Sequence, residues 1–553
     1  MVLTNKHNRL SARVRTGRAL SRLLACVAAG ALAVSCARFT PPERGADELP
    51  VPPEFALYDD GGEIPAQWWQ IFESEELNRL VEQALTGNLS LQQVYARLIQ
   101  AEFVAIQAGA GRFPELGYSG DASVSRQRAD TGESRDRLEF LNQKIAAWNQ
   151  LAGAGAVPPA DLLDALEQAG TSLKALDTLL AEQPSPHSTF TSRSYRFGLG
   201  SSFEVDLWRR VRSQYEAALS DVEATREDVY GAMLSLSAIV TREWLSAVAQ
   251  QQAITLVQKQ LELNKTTLDL IELRYRKGMA TALDVYQQRQ IVAETESILP
   301  PLESALRTTL HELAVLLGQQ PRADLGVKTA DLPDVGPLPD PGLPAGLLAN
   351  RPDIRAAGLR LRSADWRVAV ARADRLPALR LTGSASYGAD DWDLVFDNWA
   401  ATLAAGVTGP IFDAGRRKAE VERTRAVVDE RLAAYRESVL VAAKEVENAM
   451  FEEVTQVEFI AALERELDAA RNAHKQALLR YRKGLNDYLP VLSALSQLQV
   501  LERRLVQAEL TRLDLRVQLC VALGGAWMAP QYEDIRRQEQ AEVPQADERS
   551  PNG

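Results

Sequence analysis

The sequence predicts a mainly α-helical protein with a transmembrane β-barrel portion, internally duplicated so that each half joins a β-hairpin to long coiled-coil-like helices. Three observations predict it. Arg-Tyr-Arg-Lys-Gly occurs at Arg274–Gly278 and again at Arg480–Gly484, 206 residues apart, with Leu316-Leu317-Gly318 answered by Ala522-Leu523-Gly524 at the same offset. Two stretches, from Trp208 to about Tyr275 and from Arg416 to about Tyr481, contain no proline and carry helical apolar spacing. Four segments of about ten residues alternate apolar and small polar side chains with period two.

Self-similarity at a fixed offset marks a repeated architecture. Upstream of the pentapeptide, Val205-Asp206-Leu207-Trp208-Arg209-Arg210 aligns with Phe412-Asp413-Ala414-Gly415-Arg416-Arg417 at an offset of 207. Phe113-Pro114-Glu115-Leu116 resembles Leu376-Pro377-Ala378-Leu379 at an offset grown to 263, which places an insertion at about 126–190 of the first half. The expected division is a first repeat over 67–318, a connector over 319–345 and a second repeat over 346–527.

A net charge of −12 with acidic and basic residues interspersed gives no basic patch, so no nucleic-acid partner is expected. Beyond the N-terminus no apolar run reaches the roughly 18 residues that a membrane-spanning helix needs. That excludes helical spans only, because barrel strands leave a much weaker signal.

The N-terminus reads as a targeting segment over 1–35. Arg9, Arg13, Arg15, Arg18 and Arg22 precede twelve apolar or small residues, Leu23 to Val34, too few for a span and suited to a secretory h-region. Ala33-Val34-Ser35-Cys36 resembles a bacterial lipobox, in which the cysteine becomes the acylated first residue; Leu32 stands one place before the usual leucine position. Ala37 is not the aspartate that commonly retains lipoproteins in the inner membrane, so the resemblance implies the outer membrane. A secretory protein whose Cys36 is incidental is the alternative. Residues 36–66 are rich in Pro, Gly and acidic groups and read as a linker from a lipid anchor. With Cys26 removed and Cys36 acylated, Cys520 is left as a buried helix-face residue and no disulfide framework is available.

Trp68-Trp69-Gln70-Ile71-Phe72 reads as core packing, followed by Leu77, Leu80, Val81, Ala84 and Leu85 at helical spacing and a further amphipathic helix to Gly109–Gly111. Strands are expected at about 114–125, 191–205, 377–389 and 398–411. Each has one apolar face, such as Tyr195, Phe197, Leu199, Phe203 and Val205, and one small polar face, such as Arg196, Gly198, Gly200, Ser202 and Glu204. Such strands fit either a membrane barrel or a soluble antiparallel sheet with one wet face. Four strands cannot close a barrel, and an open edge cannot face hydrocarbon, because its N–H and C=O groups would have no partners. If the strands span a membrane, two copies give eight strands, three give twelve, and a monomer is excluded.

Roughly 65 helical residues at about 1.5 Å each make a rod on the order of 100 Å, long enough to require side-by-side partners. A glycine after each Arg-Tyr-Arg-Lys suits a helix C-terminus, with cations facing the negative end of the dipole. A return helix follows each turn. The connector is proline-rich, Pro352 is placed for a first helical turn, and the tail over 528–553 is polar and reads as disordered. The insertion carries helical periodicity in Leu138, Leu141, Ile145 and Trp148 and is expected at an extracellular mouth, as a partial cap or a surface-interaction element.

The chain resembles the TolC-like outer-membrane efflux factors, specifically the NodT-type lipoprotein subgroup. The resemblance rests on Trp68-Trp69-Gln70-Ile71-Phe72, Asn350-Arg351-Pro352-Asp353-Ile354-Arg355, Leu376-Pro377-Ala378-Leu379, Pro410-Ile411-Phe412-Asp413-Ala414-Gly415-Arg416 and the paired turns. It implies a homotrimer with a twelve-stranded barrel on a hollow α-helical barrel, a periplasmic adaptor (membrane fusion) protein, and an inner-membrane pump, often of the resistance–nodulation–division type. It implies adaptor-docking tips at Gly278, Met279 and Ala280 and at Gly484, Leu485 and Asn486. It implies a periplasmic gate at Tyr481, with Tyr275 its first-half counterpart, and an acidic constriction at Asp284. In the second half Pro490 and Ser493 stand where aspartates often occur, leaving Asp487 to supply charge. For the aspartates a solvated helix face is the competing reading.

No catalytic chemistry is expected. His7, His187, His311 and His474 form no ligand cluster with cysteines, and no nucleotide loop or nucleophile elbow occurs. No cofactor or metal is expected, and the chain reads as a passive conduit for small molecules. A type I secretion duct and a non-conducting coiled-coil scaffold remain as alternatives.

Overall fold

The computed structural model describes residues 67–130, 187–321, 325–329, 331–338 and 350–525, with a few positions between 140 and 172. The expected signal segment, Cys36, the linker, nearly all of the insertion and the tail lie outside the described residues. The described residues divide into two units: a helical one within the spans 1–110, 207–376 and 410–553, and a sheet one within 111–206 and 377–409.

In the helical unit, a 3-10 turn at Trp68–Phe72 leads to α1 (Glu75–Gly87) and α2 (Leu89–Ala110). The long helix α3 (Arg210–Arg276) is followed by α4 (Ala282–Leu316) and α5 (Pro352–Ala373). A second long helix α6 (Arg416–Arg482) is followed by α7 (Leu489–Ala522). The long helices match the expected stretches to within two residues, and each contains 67 residues. Alanine and leucine-rich stripes without proline permit that length, and helix-to-helix packing sustains it.

The main core gathers Trp68, Trp69 and Phe72 with α1, the middle of α3 and α7. Trp68 Nε1 donates to Ser237 Oγ at 3.1 Å, and Trp244 Nε1 donates to Glu76 Oε1 at 2.7 Å, so these two indole protons have acceptors inside the core. Cys520 is buried in the same core, as expected, and burial pushes its thiol up to about 12. The connector is tied to the helices by its backbone. Glu76 accepts from Lys328 N at 2.9 Å, while Arg512 and Arg516 donate to the carbonyls of Val335 and Gly336 at 3.0 Å each. Arg516 also pairs with the fully buried Glu453 at 2.6 Å.

The Asn-Arg-Pro-Asp stretch has a structural task. Pro352 opens α5, where its missing N–H costs nothing, and Arg351 Nη1 donates to Ala522 O at the end of α7, at 2.9 Å. Arg351 is held there by Asp353 and Glu445, both at 2.8 Å. At the end of α4, Asn88 Nδ2 donates to Leu316 O at 2.9 Å, while its Oδ1 caps α2 by accepting from Leu91 N. Helix α5 is locked to α3 by Arg355–Glu227 and Arg367–Asp221 at 2.6 Å each and by Arg360–Asp228.

The sheet unit is one antiparallel sheet in the order β1 (Glu115–Asp130), β2 (His187–Val205), β3 (Ala378–Ala389), β4 (Trp399–Thr408). The first two strands extend beyond the expected 125 and 191 to Asp130 and His187, shortening the insertion at both ends. The polar Arg126, Gln127 and Arg128 hide that extension from an apolar-alternation reading. The fourth strand stops at Thr408, so Ile411, expected within it, lies after the strand beyond Gly409-Pro410. Register places Tyr118 opposite Leu199, Leu199 opposite Ala385, and Ala385 opposite Ala401. Directly paired residues share a face, so one face is apolar across all four strands. The other carries Ser119, Gly198, Ser386 and Ala400, with Glu204 and Arg380 paired at 3.8 Å. Among the described residues, strands β1 and β4 each have one unpaired edge.

A glycine contrast tests this packing. Gly278 and Gly318 both have φ of +70°, but a Cβ on Gly278 meets open space while one on Gly318 falls 2.1 Å from Gly87 O. Gly278→Ala is expected to cost only the left-handed strain of about 1–2 kcal/mol. Gly318→Ala adds a backbone clash, and thermal unfolding followed by circular dichroism is expected to show at least twice the loss.

Candidate functional site

Both turns are built alike. Gly278 N donates to Tyr275 O and Met279 N to Arg274 O; Gly484 N donates to Tyr481 O and Leu485 N to Arg480 O, all at 2.8–2.9 Å. These are Schellman closures, and Gly278 and Gly484 take φ of +70° and +72°, the left-handed conformation that only glycine adopts without strain. Met279 and Leu485, the residues after each glycine, are exposed apolar side chains; Ala280 and Asn486 are half-buried. Asn486 Oδ1 accepts from Arg480 Nε at 3.0 Å, so it stiffens its own turn.

The helix starts after the turns differ. Thr281 and Asp284 form a capping box at the start of α4: Asp284 N donates to Thr281 Oγ1, and Thr281 N donates to Asp284 Oδ2 at 2.9 Å. Asp284 is thus a half-buried structural carboxylate as well as a candidate constriction charge. Its signature, Thr281-x-x-Asp284, stands in the sequence. Helix α7 has no such box; Pro490 occupies its first turn, which gives that proline a structural reason. Asp487 is exposed.

The two tyrosines of the repeated pentapeptide are not equivalent. Tyr275 is 50% exposed, whereas Tyr481 is 5% exposed. Tyr481 joins Ile271, Val285, Tyr488 and Val491 in an apolar cluster that draws together the ends of α3 and α6 and the starts of α4 and α7. The Tyr481 and Tyr488 rings lie 5.3 Å apart, and the Arg274 guanidinium sits 4.6 Å above the Tyr481 ring. Arg274 therefore closes the cluster beyond complementing a helix dipole. Burial pushes both phenols up, with Asp284 adding to each; Arg274 partly offsets the shift at Tyr481.

Beyond the rings lies a buried polar ladder that sequence reasoning missed. Tyr488 donates its hydroxyl proton to Gln288 Oε1, and Gln288 Nε2 donates to Asn264 O at 2.8 Å. Asn264 Nδ2 donates to Thr295 Oγ1 at 2.8 Å, and Gln499 Nε2 donates to Asn264 Oδ1 at 3.0 Å. Gln260 then accepts from Arg503 at 2.7 Å and donates to Glu502 at 2.9 Å. Asn264 lies seven residues from both Val257 and Ile271, all fully buried, so it is a polar residue on an apolar heptad seam. Seven-residue spacing is the signal that finds it. Such a ladder ties α3 and α4 to α7 in one register, because a slipped helix would leave buried amides unpaired.

Two outcomes follow. Asn264→Leu alone strands the Gln499 amide and is expected to cost about 1–3 kcal/mol in denaturant unfolding, while adding Gln499→Leu recovers most of that loss. Because both phenols are raised in the folded chain, their contribution to stability is complete below the unfolded value of about 10. It is lost as pH climbs through the folded values, since the unfolded chain releases its protons first. Wild type is expected to weaken above about pH 10 more steeply than Tyr488→Phe, in unfolding measured from pH 8 to 11.

Among the described residues no His/Cys/Asp/Glu group is arranged to hold a metal, and no helix is long and apolar enough to cross a membrane. Residues 80–319 and 343–525 match the outer membrane efflux protein family. The pyoverdine export outer membrane protein OpmQ of Pseudomonas putida is 32% identical over 501 residues, covering 90% of this chain and 96% of its own. The toluene efflux pump outer membrane protein TtgF of Pseudomonas putida is 31% identical over 366 residues, 66% of this chain and 76% of its own. The solved outer-membrane channel OprN superposes with a TM-score of 0.72 at 27% identity, covering 88% of this chain and 99% of that one. A mainly helical chain with a four-stranded one-sided sheet, matched along nearly its whole length, belongs to the outer membrane efflux protein family and is an outer-membrane component of an efflux system.

Proposed function

We propose that three copies close their sheets into one twelve-stranded barrel in the outer membrane, and that their helices form a hollow periplasmic conduit. The observation that carries this is the sheet itself: one apolar face, one small polar face, and two unpaired edges. An apolar outside and a wet lumen are what a membrane barrel requires, and only a closed ring of copies leaves no edge in hydrocarbon. Exposed Phe103, Val104 and Ile106 on α2 and Phe451 on α6 support further helix-to-helix contacts between copies.

In this reading the turns at Gly278–Ala280 and Gly484–Asn486 dock a periplasmic adaptor, and the Tyr481–Tyr488 cluster with Asp284 holds the conduit shut. Tyr275 and Asp487, both exposed, are left free to meet another copy or the adaptor. An inner-membrane pump, of the resistance–nodulation–division type by resemblance, supplies the free energy, and flow through this chain is passive. Acylated Cys36 anchors the N-terminus in lipid. One relative is named for pyoverdine and another for toluene, which supports a duct that leaves cargo selection to its pump.

Mass measurement and planar-bilayer recording test the proposal. The processed protein in detergent is expected to have the mass of three chains and to give small, rarely opening currents. Tyr481→Ala, which removes the ring beneath Arg274, is expected to raise open probability at least several-fold. A monomer or dimer that never conducts would leave the non-conducting scaffold as the better reading.

A further inference from the structure

The turn between β3 and β4 carries Asp390-Asp391-Trp392-Asp393-Leu394-Val395-Phe396-Asp397-Asn398. It does not project from the end of the hairpin. A single 3-10 turn at Trp392–Leu394 folds it back, and Gly388 N, donating to Asn398 O at 3.1 Å, closes its base. Its rings then pack on strand side chains. Trp392 meets Tyr195 and Phe197 edge-on, with centroids 5.5 and 5.9 Å apart, and Phe396 stacks on Phe197 at 6.2 Å and contacts Tyr387 at 5.8 Å. Tyr195, Phe197 and Tyr387 belong to the apolar face, so the turn lies over that face and not over the polar one.

One side of each ring is packed and the other is open: Trp392 is 56% and Phe396 66% exposed, beside Trp399 at 71%. Asp390, Asp391, Asp393 and Asp397 are all exposed around them. The occupant that would cover this patch must accept aromatic rings on one side and leave four carboxylates in water on the other. A neighbouring copy that extends the sheet would pair along the free edge of β1 or β4. The ringed patch sits on β2 and β3, the two inner strands, out of reach of such edge pairing.

We infer that this folded-back turn is a membrane-interface collar. Trp392 and Phe396 seat between the headgroups and upper acyl chains of the surrounding lipid, and the aspartates stop the turn from sinking further. Amphipathic rings prefer that boundary because the ring body leaves water while the indole N–H keeps a polar neighbour. The inference rests on the barrel reading, since the apolar face must meet lipid for the collar to do so.

The full chain is reconstituted in phosphatidylcholine vesicles with bromine at acyl carbons 6,7 or 11,12, and tryptophan fluorescence is compared for wild type, Trp392→Phe and Trp399→Phe. Phenylalanine keeps a ring at each site, and the chain's seven other tryptophans are a background common to all three proteins, so each site is read as the difference from wild type. Expected is a loss of quenchable intensity in Trp392→Phe comparable with that in Trp399→Phe, with the Trp392 part quenched more by the shallower bromines. If only Trp399→Phe loses quenchable intensity, the barrel stands and the collar is overturned, with Trp392 shielded by protein or held in water. If neither variant changes the quenching, the apolar face does not meet lipid, and the collar falls together with the barrel reading.

Discussion

A strand edge carries a row of N–H and C=O groups, and in hydrocarbon nothing but another strand can satisfy them. This chain belongs to an outer-membrane family, and its described residues supply four strands, with the edges of β1 and β4 unpaired among them. Every larger feature is consistent with that constraint. A sheet with one apolar and one small polar face is stable in a membrane only when closed, and in the proposed assembly copies of the same chain close it. The polar face is built from Ser, Gly, Thr and Ala with few bulky groups, which leaves room inside a ring.

The helical unit meets a different requirement, that of holding two 67-residue helices and their partners in one register. Apolar stripes alone permit slippage by a heptad, because one leucine layer resembles the next. The Asn264, Gln288, Thr295 and Gln499 ladder removes that freedom, since each amide has one satisfied arrangement. Polar seams also differ from apolar ones in what opening costs. Water that enters a parted ladder can satisfy the same amides, whereas water entering an apolar seam gains nothing. In the proposed conduit, a wall that stays shut and still opens would benefit from polar groups near the tyrosine cluster. Towards the middle of α3, where Trp68, Trp69 and Trp244 pack, the core is apolar, and the indoles of Trp68 and Trp244 donate to Ser237 and Glu76.

Much of this was legible in the sequence. Proline-free stretches gave both long helices nearly to the residue, because nothing within them competes with helix. Period-two alternation gave all four strands and their faces, and the pentapeptide glycines gave two left-handed closures. What escaped has physical reasons. The paired ends of β1 and β2 are polar apart from Ala129 and Phe190, and the face that is apolar elsewhere carries Arg126, Arg128, Thr189 and Thr191 there, so alternation vanishes while backbone pairing continues. Asn264 and Gln499 went unremarked because composition says nothing of partners two helices away. Tyr275 and Tyr481 look identical within their pentapeptides, yet only Tyr481 is buried, and that depends on Tyr488 and Arg274 arriving from other helices. Asp390 and Asp391 lie in an exposed loop, but the rings beside them fold back in a way no periodicity reports.

Closure of the sheet by copies is the claim on which the rest depends, and cross-linking tests it most directly. Cysteines placed on the polar face of β1, at Ser119 or Ser123, and of β4, at Ala400 or Ala404, would be oxidised in the membrane in pairs. The account predicts disulfides between chains at one register, shifting in step along both strands, with products that stop at a covalent trimer. Products that continue past three chains, or no bond between chains at any register, would contradict it.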